Sequence, residues 1–465
     1  MKKIIAIALS ATMTVGIMNV PAYAELTGFK GIGQISVKAA SEELTYGDFK
    51  YVVENGGVTI KEYTGMDSIV TVPDRINGQD VLEIGASAFS KCKNLEEIQL
   101  SENVRIIGFK AFYNCSSLRQ IKLPSKLKSM GERVFEGTKI TSITIPKTLE
   151  NALCALAGAK NLKEVIIEEG MEKIPASLMS VDTDNRIQEV QIPSSVKEIG
   201  SCAFENCACL TEMNFGKELK EIGSCAFEKC KGLKKISFSD NVDKNYELTI
   251  RFSAFSGCIN LEEIRFSDNI IQIEDSAFCN CSNLKQINLP SKLKSMGARV
   301  FKAAGIRSIT IPKTLEKAGG YYNGALAGAK SLKEVIIEEG MTEVPNELVY
   351  DEFGDNGIQK IQIPSTVKRI GYRAFSGCKN LKEIMLSDNI RVIGSEAFYN
   401  CNSLKQIKLP SKLESMYDRV FGGTGITSIT IPKTLKYVAT GEGGTLAGAK
   451  NLKEVIIEEG MIEIP

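Results

Sequence analysis

The stretch that decides the fold is "AFYNCSSLRQIKLPSKL", residues 111–127, because it returns as "AFCNCSNLKQINLPSKL" at 277–293 and as "AFYNCNSLKQIKLPSKL" at 397–413. Within it, Ile121 and Leu123 alternate with Gln120 and Lys122, which predicts a short strand with one apolar and one polar face. Pro124 ends that strand, since proline offers no N–H for further pairing. A stretch repeated this closely indicates a structural unit, whereas a catalytic residue is normally unique.

The repeat has a period in the twenties. Four pairs of cysteines are each 23 residues apart, namely Cys92 and Cys115, Cys207 and Cys230, Cys258 and Cys281, and Cys378 and Cys401. This period, with Leu and Ile at fixed offsets, is typical of a leucine-rich repeat. We therefore predict a repeat solenoid with one short parallel β-strand in each coil of about 23 residues. Stacking lets each coil cover the apolar side of its neighbour, and eleven of the 19 phenylalanines occupy the Ala-Phe or Val-Phe position expected of a core column.

The sequence also contains a longer repeat, which spans several coils. "SITIPKTL" begins at Ser142, Ser308 and Ser428, and "LKEVIIEEGM" begins at Leu162, Leu332 and Leu452. Whole cassettes of several coils are therefore duplicated. In each cassette "ALAGAK" or "TLAGAK" replaces the Phe/Cys element, so we expect leucine to occupy the phenylalanine position there.

Composition excludes several functions. The chain has 465 residues with 57 basic and 56 acidic side chains, so its net charge of +1 predicts no general attraction to nucleic acid. It contains no histidine, which rules out Ser/His/Asp and Cys/His catalysis and imidazole metal sites. We predict no cofactor and no enzymatic activity.

The N-terminus has the pattern of a secretory signal peptide. Lys2 and Lys3 precede an apolar run, and Ala22-Tyr23-Ala24 supplies small residues before a cut that would leave Glu25 first. A membrane anchor is the alternative, but polar residues such as Ser10 and Asn19 weaken the apolar core for that role. We predict a secreted or cell-surface protein with no integral membrane segment once the signal is removed.

The pattern Ala-Phe-x-x-Cys-x-x-Leu-x-x-Ile-x-Leu-Pro resembles the BspA-type leucine-rich repeat proteins of bacterial surfaces and secretions. The lead-in at 46–89, from "YGDFKYVV" to "GASAF", is similar to the usual opening of that family. The resemblance implies a secreted or surface-displayed binding protein, with adhesion to host proteins or other cells in some members. It carries over no catalytic residue.

The predicted organisation has four parts: a signal peptide at 1–24, a linker at 25–45, an N-terminal capping region and first coil at 46–87, and the solenoid at 88–465. The cap is expected to be hairpin-like. The sequence ends with "EEGMIEIP", whereas the similar stretch at 338–345 is followed by another coil. We therefore expect no regular C-terminal cap and a truncated chain.

The 13 cysteines have two interpretations. Eight occupy the repeat position, where a small buried thiol behaves as a hydrophobic side chain, and we expect these to be reduced. Cys202 and Cys225 occupy equivalent "SCAF" positions in consecutive coils and are the candidate disulfide. The acidic pairs before Gly170, Gly340 and Gly460, and the "SDN" motifs, are interpreted as solvated turns rather than as glycosidase or calcium sites.

The outward strand residues form two adjacent columns that we predict to be a protein-binding face. Ile166, Ile336, Met385 and Ile456 are its apolar members, and either they contact a partner or their strands are buried on both faces. The partner would be a protein ligand or a cell-surface component, and the alternative function is a spacer that presents a further C-terminal module. The candidate face comprises Glu97, Gln99, Gln120, Lys122, Glu164, Ile166, Glu263, Arg265, Glu334, Ile336, Glu383, Met385, Lys408, Glu454 and Ile456.

Overall fold

The computed structural model describes residues 42–179, 185–239, 247–320, 322–440 and 443–463. The signal peptide, the Ala24–Glu25 cut and the linker up to residue 41 lie outside the described residues. Every regular element within them is a β-strand. The strands are β1 (Leu44–Tyr46), β2 (Phe49–Glu54), β3 (Gly57–Tyr63), β4 (Ile69–Thr71), β5 (Arg75–Ile76), β6 (Gln79–Ile84), β7 (Glu97–Gln99), β8 (Ile106–Ile107), β9 (Gln120–Lys122), β10 (Ser129–Met130), β11 (Ser142–Ile145), β12 (Glu164–Ile167), β13 (Lys173–Ile174), β14 (Glu189–Gln191), β15 (Glu198–Ile199), β16 (Glu212–Phe215), β17 (Glu221–Ile222), β18 (Lys235–Phe238), β19 (Leu248–Ile250), β20 (Glu263–Arg265), β21 (Ile270–Ile273), β22 (Ser295–Met296), β23 (Ser308–Ile311), β24 (Lys317–Ala318), β25 (Glu334–Ile337), β26 (Glu343–Val344), β27 (Lys360–Gln362), β28 (Arg369–Ile370), β29 (Val392–Ile393), β30 (Ser415–Met416), β31 (Ser428–Ile431), β32 (Tyr437–Val438) and β33 (Glu454–Ile457).

The N-terminal cap is an antiparallel meander of β1, β2 and β3. Asn55 and Gly56 connect β2 to β3 with φ angles of 54° and 83°, the left-handed pair that a tight hairpin turn requires. β3 then pairs in parallel with β6, and this pairing converts the antiparallel cap into the parallel stack. The predicted hairpin-like cap is therefore present, and it begins at Leu44, two residues before the predicted boundary at Tyr46.

Two ladders of parallel strands run along the coils. The first ladder contains the predicted strands, in the sheets β4-β7-β9, β11-β12-β14, β16-β18-β20, β23-β25-β27 and β31-β33. A second ladder, which the sequence did not predict, consists mostly of two-residue strands such as β15, β17 and β28. The leucine-rich solenoid of short parallel strands is thus confirmed. The structure adds a second strand to many coils, and the predicted strand is missing at 286–288, 383–385 and 406–408.

Phenylalanine rings form the core between the ladders. All eleven at the Ala-Phe or Val-Phe position are almost completely buried. Phe255 lies parallel to Phe227 and to Phe278, with ring centroids 5.3 Å and 5.4 Å apart. Leu156 and Leu326 occupy the same column in the "ALAGAK" coils and are also buried, as the sequence predicted.

The turn around each phenylalanine bonds to the next coil through its backbone. In one coil, the N–H groups of Lys110, Phe112 and Asn114 donate to carbonyls of the following coil at 2.9, 3.0 and 2.7 Å. Lys110 and Asn114 have left-handed backbones, with φ of 53° and 55°, which orients alternate N–H groups toward the neighbour. These bonds satisfy backbone donors that would otherwise be buried without a partner.

Candidate functional site

The outward columns lie where the alternation predicts. In β7, Glu97 and Gln99 are exposed on either side of the buried Ile98, and they align in register with Gln120 and Lys122 of β9. Glu263, Arg265, Glu334 and Glu164 occupy equivalent outward positions in β20, β25 and β12. Glu383, Lys408 and Glu454 are also exposed. This geometry does not show what these residues bind, so the binding face stays a prediction.

The apolar members of the columns differ in exposure. Ile166 and Ile336 are half-buried, and each is flanked in register by polar residues, Gln191 and Gln362 respectively. Met385 is 87% exposed and Ile456 is 43% exposed. Met385 therefore presents the largest apolar contact area of the four to a partner.

The first ladder is interrupted, although the coils continue to stack. The outward segments at 286–288, 383–385 and 406–408 form no strand, and β9 does not pair with β11, nor β14 with β16. A groove of about 1040 Å³ lies across β7, β9 and β11, and one of about 430 Å³ lies between β14 and β16. These breaks could not be predicted from the sequence, because the spacing of the apolar residues continues through them.

Ion pairs link acidic and basic side chains on the first ladder. Lys360 contacts Glu334 at 2.8 Å, and Arg265 contacts Glu263 at 2.6 Å. Lys360 lowers the pKa of Glu334, and Arg265 lowers that of Glu263, mainly through these hydrogen bonds. Both carboxylates are half-buried, and the lowered pKa keeps them charged at neutral pH.

A column of cations, which the sequence analysis missed, precedes the first acidic column. Its members are the residues immediately before the first outward residue of each coil, and we call it the leading column. Many of these residues are basic and exposed; they include Arg119, Lys163, Lys234, Lys285, Arg307, Lys333, Lys382, Lys405 and Lys453. Their regular recurrence was the signal that could have found them.

Seven of the eight repeat-position cysteines form a buried thiol column, whereas Cys92, in the first coil of the series, is only half-buried, contrary to the expectation for all eight. Cys115 donates through Sγ to the carbonyl of Phe89 in the preceding coil at 2.9 Å, and Cys258 donates to that of Phe227 at 3.3 Å. Burial raises the pKa of the Cys258 and Cys281 thiols, which keeps them protonated. The structure contains them as free cysteines, and the hydrogen bonds explain why the small thiol recurs.

Cys202 and Cys225 are adjacent in the turn stack, at left-handed positions with φ of 55° and 56°. Burial raises the pKa of Cys225 to about 12, and a hydrogen bond with Glu228 adds to the increase. Burial also raises the pKa of Cys202, while a hydrogen bond with Cys225 acts in the opposite direction. The two thiols are thus in contact but unbonded, and the disulfide stays a prediction.

Thiol titration tests both cysteine interpretations. We expect the exposed Cys209 to react first at pH 7, whereas the seven buried repeat-position thiols react only after denaturation. Cys202 and Cys225 should react faster as pH rises, because only the thiolate is nucleophilic. Denatured, unreduced protein should contain 13 free thiols, or two fewer if Cys202 and Cys225 are bridged. Fast reaction of the buried cysteines in the native protein would contradict the buried column.

The acidic pairs have a structural role in all three cassettes. Glu168, Glu338 and Glu458 accept hydrogen bonds from the backbone N–H of Lys147, Lys313 and Lys433, at 2.8, 2.7 and 2.8 Å. Asp268 and Asp388 similarly accept from Ser291 and Ser411 in the next coil. Asp240, in the third "SDN" motif, lies outside the described residues. These carboxylates fix turns between coils, which supports the turn interpretation.

The described residues contain neither a metal-binding cluster nor a membrane-spanning helix. Within residues 42–463, apart from the undescribed gaps, no group of three or more cysteine or acidic side chains is arranged to hold a metal ion. The same part of the chain contains no helix with the length and apolar character needed to cross a bilayer.

Comparisons with known proteins agree with the fold. A family model described as "BspA type Leucine rich repeat region (6 copies)" matches residues 82–185, 181–249, 248–352 and 346–465. A leucine-rich repeat protein from Bacteroides ovatus is 25% identical, with a TM-score of 0.58, over 86% of this chain and 100% of that protein. A leucine-rich cell surface protein from Faecalibacterium prausnitzii is 20% identical, with a TM-score of 0.37, over 90% of this chain and 96% of the other. No curated protein matches the sequence.

Proposed function

Because the chain belongs to the BspA-type leucine-rich repeat family, we propose that it is a non-catalytic binding protein, secreted or displayed on the bacterial surface. It binds a protein ligand or a cell-surface component through the outward columns of the first ladder. Leucine-rich repeat solenoids generally serve as interaction modules, and their extended strand-lined surfaces suit large partners. The family match supports the class of function, and the geometry of the columns supports the location.

The exposure of Met385 is the observation that best supports this location for the binding face. Its side chain is 87% exposed, the most exposed of the four apolar residues in the outward columns. A soluble monomer gains nothing from this exposure, whereas a partner would remove the thioether and its methylenes from water. Methionine suits such contacts, since its flexible side chain adapts to the partner surface. Ile336 lies in the same column and adds a half-buried apolar site.

Substitution at Met385 tests the proposal. We expect Met385→Asp to weaken binding of the purified full chain to intact bacterial or host cells, or to matrix proteins, by about tenfold or more. The affinity is measured by flow cytometry or biolayer interferometry. Ile336→Asp is expected to have a smaller effect, since that side chain is already half-buried.

Met66→Asp is the matched control, because Met66 is 80% exposed but lies outside the outward columns. It should leave the affinity within about twofold of the wild type. Equal affinities of the wild type and the Met385 variant would remove this face from the proposal. Absence of binding to any surface or protein would instead favour a spacer.

A further inference from the structure

The break between β9 and β11 opens the outward face of the solenoid locally. β9 pairs with β7 and β11 pairs with β12, but β9 and β11 do not pair with each other. Their coils remain in contact elsewhere: the Lys139 N–H donates to the Leu118 carbonyl at 2.8 Å, and Phe112 donates to Val134 at 3.0 Å. The separation is therefore confined to the strands, whose facing edges lack ladder partners.

The partial exposure of Ile121 shows that the missing pairing leaves an open groove beside β9. Ile98 in β7 and Ile143 in β11 are each 2% exposed, whereas Ile121 in β9 is only half-buried. The three residues occupy the same inward position of their coils. Ile121 thus forms part of the floor of the groove of about 1040 Å³. An extended segment would cover this floor.

Charge distinguishes this groove from the second one. Arg119, Lys139 and Lys163 line it and are exposed, and none of the ion pairs among the described residues involves them. The lining also contains Lys122, which pairs with Glu102 at 3.2 Å, and a single acidic residue, Glu97. The groove between β14 and β16 is lined by Glu189 and Glu212 and contains no lysine or arginine. Both grooves arise where two strands do not pair, but the groove across β7, β9 and β11 is basic and the groove between β14 and β16 is acidic.

We propose that the groove across β7, β9 and β11 binds an extended, acidic segment of a protein partner. The segment lies along the outer side of the groove, covers Ile121 and pairs its carboxylates with Arg119, Lys139 and Lys163. β9 and β11 remain too close for a further strand to insert between them, so the side chains that line the groove supply the contacts. This inference rests on the proposed binding function and specifies the chemistry of one partner.

A defined peptide tests the groove without knowledge of the natural partner. The probe is a fluorescent eight-residue peptide of alternating Thr and Glu, added to the full chain at low ionic strength. We expect saturable binding by fluorescence anisotropy that weakens as salt screens the charges. The matching Thr-Lys peptide should bind at least about tenfold more weakly, because like charges repel.

Paired variants locate the site. Arg119→Glu combined with Lys163→Glu should reduce the affinity for the acidic peptide by about tenfold or more. Lys234→Glu is the matched control, because Lys234 is an exposed member of the leading column beside the continuous β16-β18-β20 ladder. It should change the affinity by less than about twofold. Equal losses in both variants would overturn the site.

Hydrogen exchange locates the bound peptide. Bound Thr-Glu peptide should slow exchange in the segments at 118–124 and 139–145, and the Arg119→Glu/Lys163→Glu variant should lose this protection. No protection by the peptide, or equal protection in the variant, would overturn the inference. A negative result here leaves the Met385 test unaffected, because Met385 lies outside this groove.

Discussion

Phe255→Ala should lower the free energy of unfolding by about 3–5 kcal/mol, the usual cost of truncating a fully buried phenylalanine. The ring is sandwiched between Phe227 and Phe278 at 5.3 Å and 5.4 Å, so the substitution leaves a cavity in the middle of the column. Urea denaturation followed by circular dichroism measures the loss. Because each coil contacts only its neighbours, we expect hydrogen exchange to accelerate most in the coils of Phe227 and Phe278.

Phe252→Ala is the control from the same coil. Phe252 is 49% exposed and lies three residues before Phe255. Its truncation should change stability by about 0.5 kcal/mol or less. Similar losses for the two variants would indicate that the phenylalanine column does not support the stack.

Gly223→Ala should cost about 1–3 kcal/mol, the range for inserting a methyl group where the packing has no room. A Cβ at this position would lie 2.7 Å from the carbonyl oxygen of Ile199 and 2.7 Å from the backbone nitrogen of Ser201. Both atoms belong to the backbone of the preceding coil, so the coils themselves must separate. Gly223→Val should destabilise the protein further, and thermal denaturation measures both variants.

Gly320→Ala provides the comparison. A Cβ there would meet the Cβ of Ala298 at 3.5 Å, an ordinary contact. We expect a change of about 0.5 kcal/mol or less, or slight stabilisation, since alanine restricts the unfolded chain. A loss at Gly320 equal to that at Gly223 would argue against close approach of successive coils as the cause.

Much of the fold could be predicted because its signals recur. The position of Phe255 in a regular column, the small thiol of Cys258 and the alternation around Ile98 all follow from one period and from the need to cover each coil. The hairpin at Asn55-Gly56 adds turn chemistry that is specific on its own. Each of these features is visible within one coil, and it recurs because the coils repeat.

The remaining features depend on contacts that a local sequence does not contain. The tripeptide Gln-Ile-Lys forms β9 at 120–122 but no strand at 406–408, although the letters are identical. The second ladder has strands of two residues, which are too short to show alternation. Left-handed turn positions hold residues as different as Lys110, Cys202 and Glu396, so residue type gave no signal.

The candidate site was predicted only in part. The outward columns followed from the alternation, and the exposure of Met385 agrees with its predicted direction. The groove beside Arg119 could not be predicted, because it arises from a missing pairing between two strands rather than from any motif. Its cations were visible in the sequence, but their convergence on one space was not.

Hydrogen exchange at the phenylalanine amides of the unmodified protein is the most direct test of the stacked coils. The N–H groups of Phe112, Phe204, Phe227 and Phe255 donate to carbonyls of the next coil at 3.0, 2.8, 2.8 and 2.9 Å. Stacking predicts that these amides exchange far more slowly than those of exposed loop residues such as Phe353. Exchange of the phenylalanine amides at the rate of the loops would contradict it.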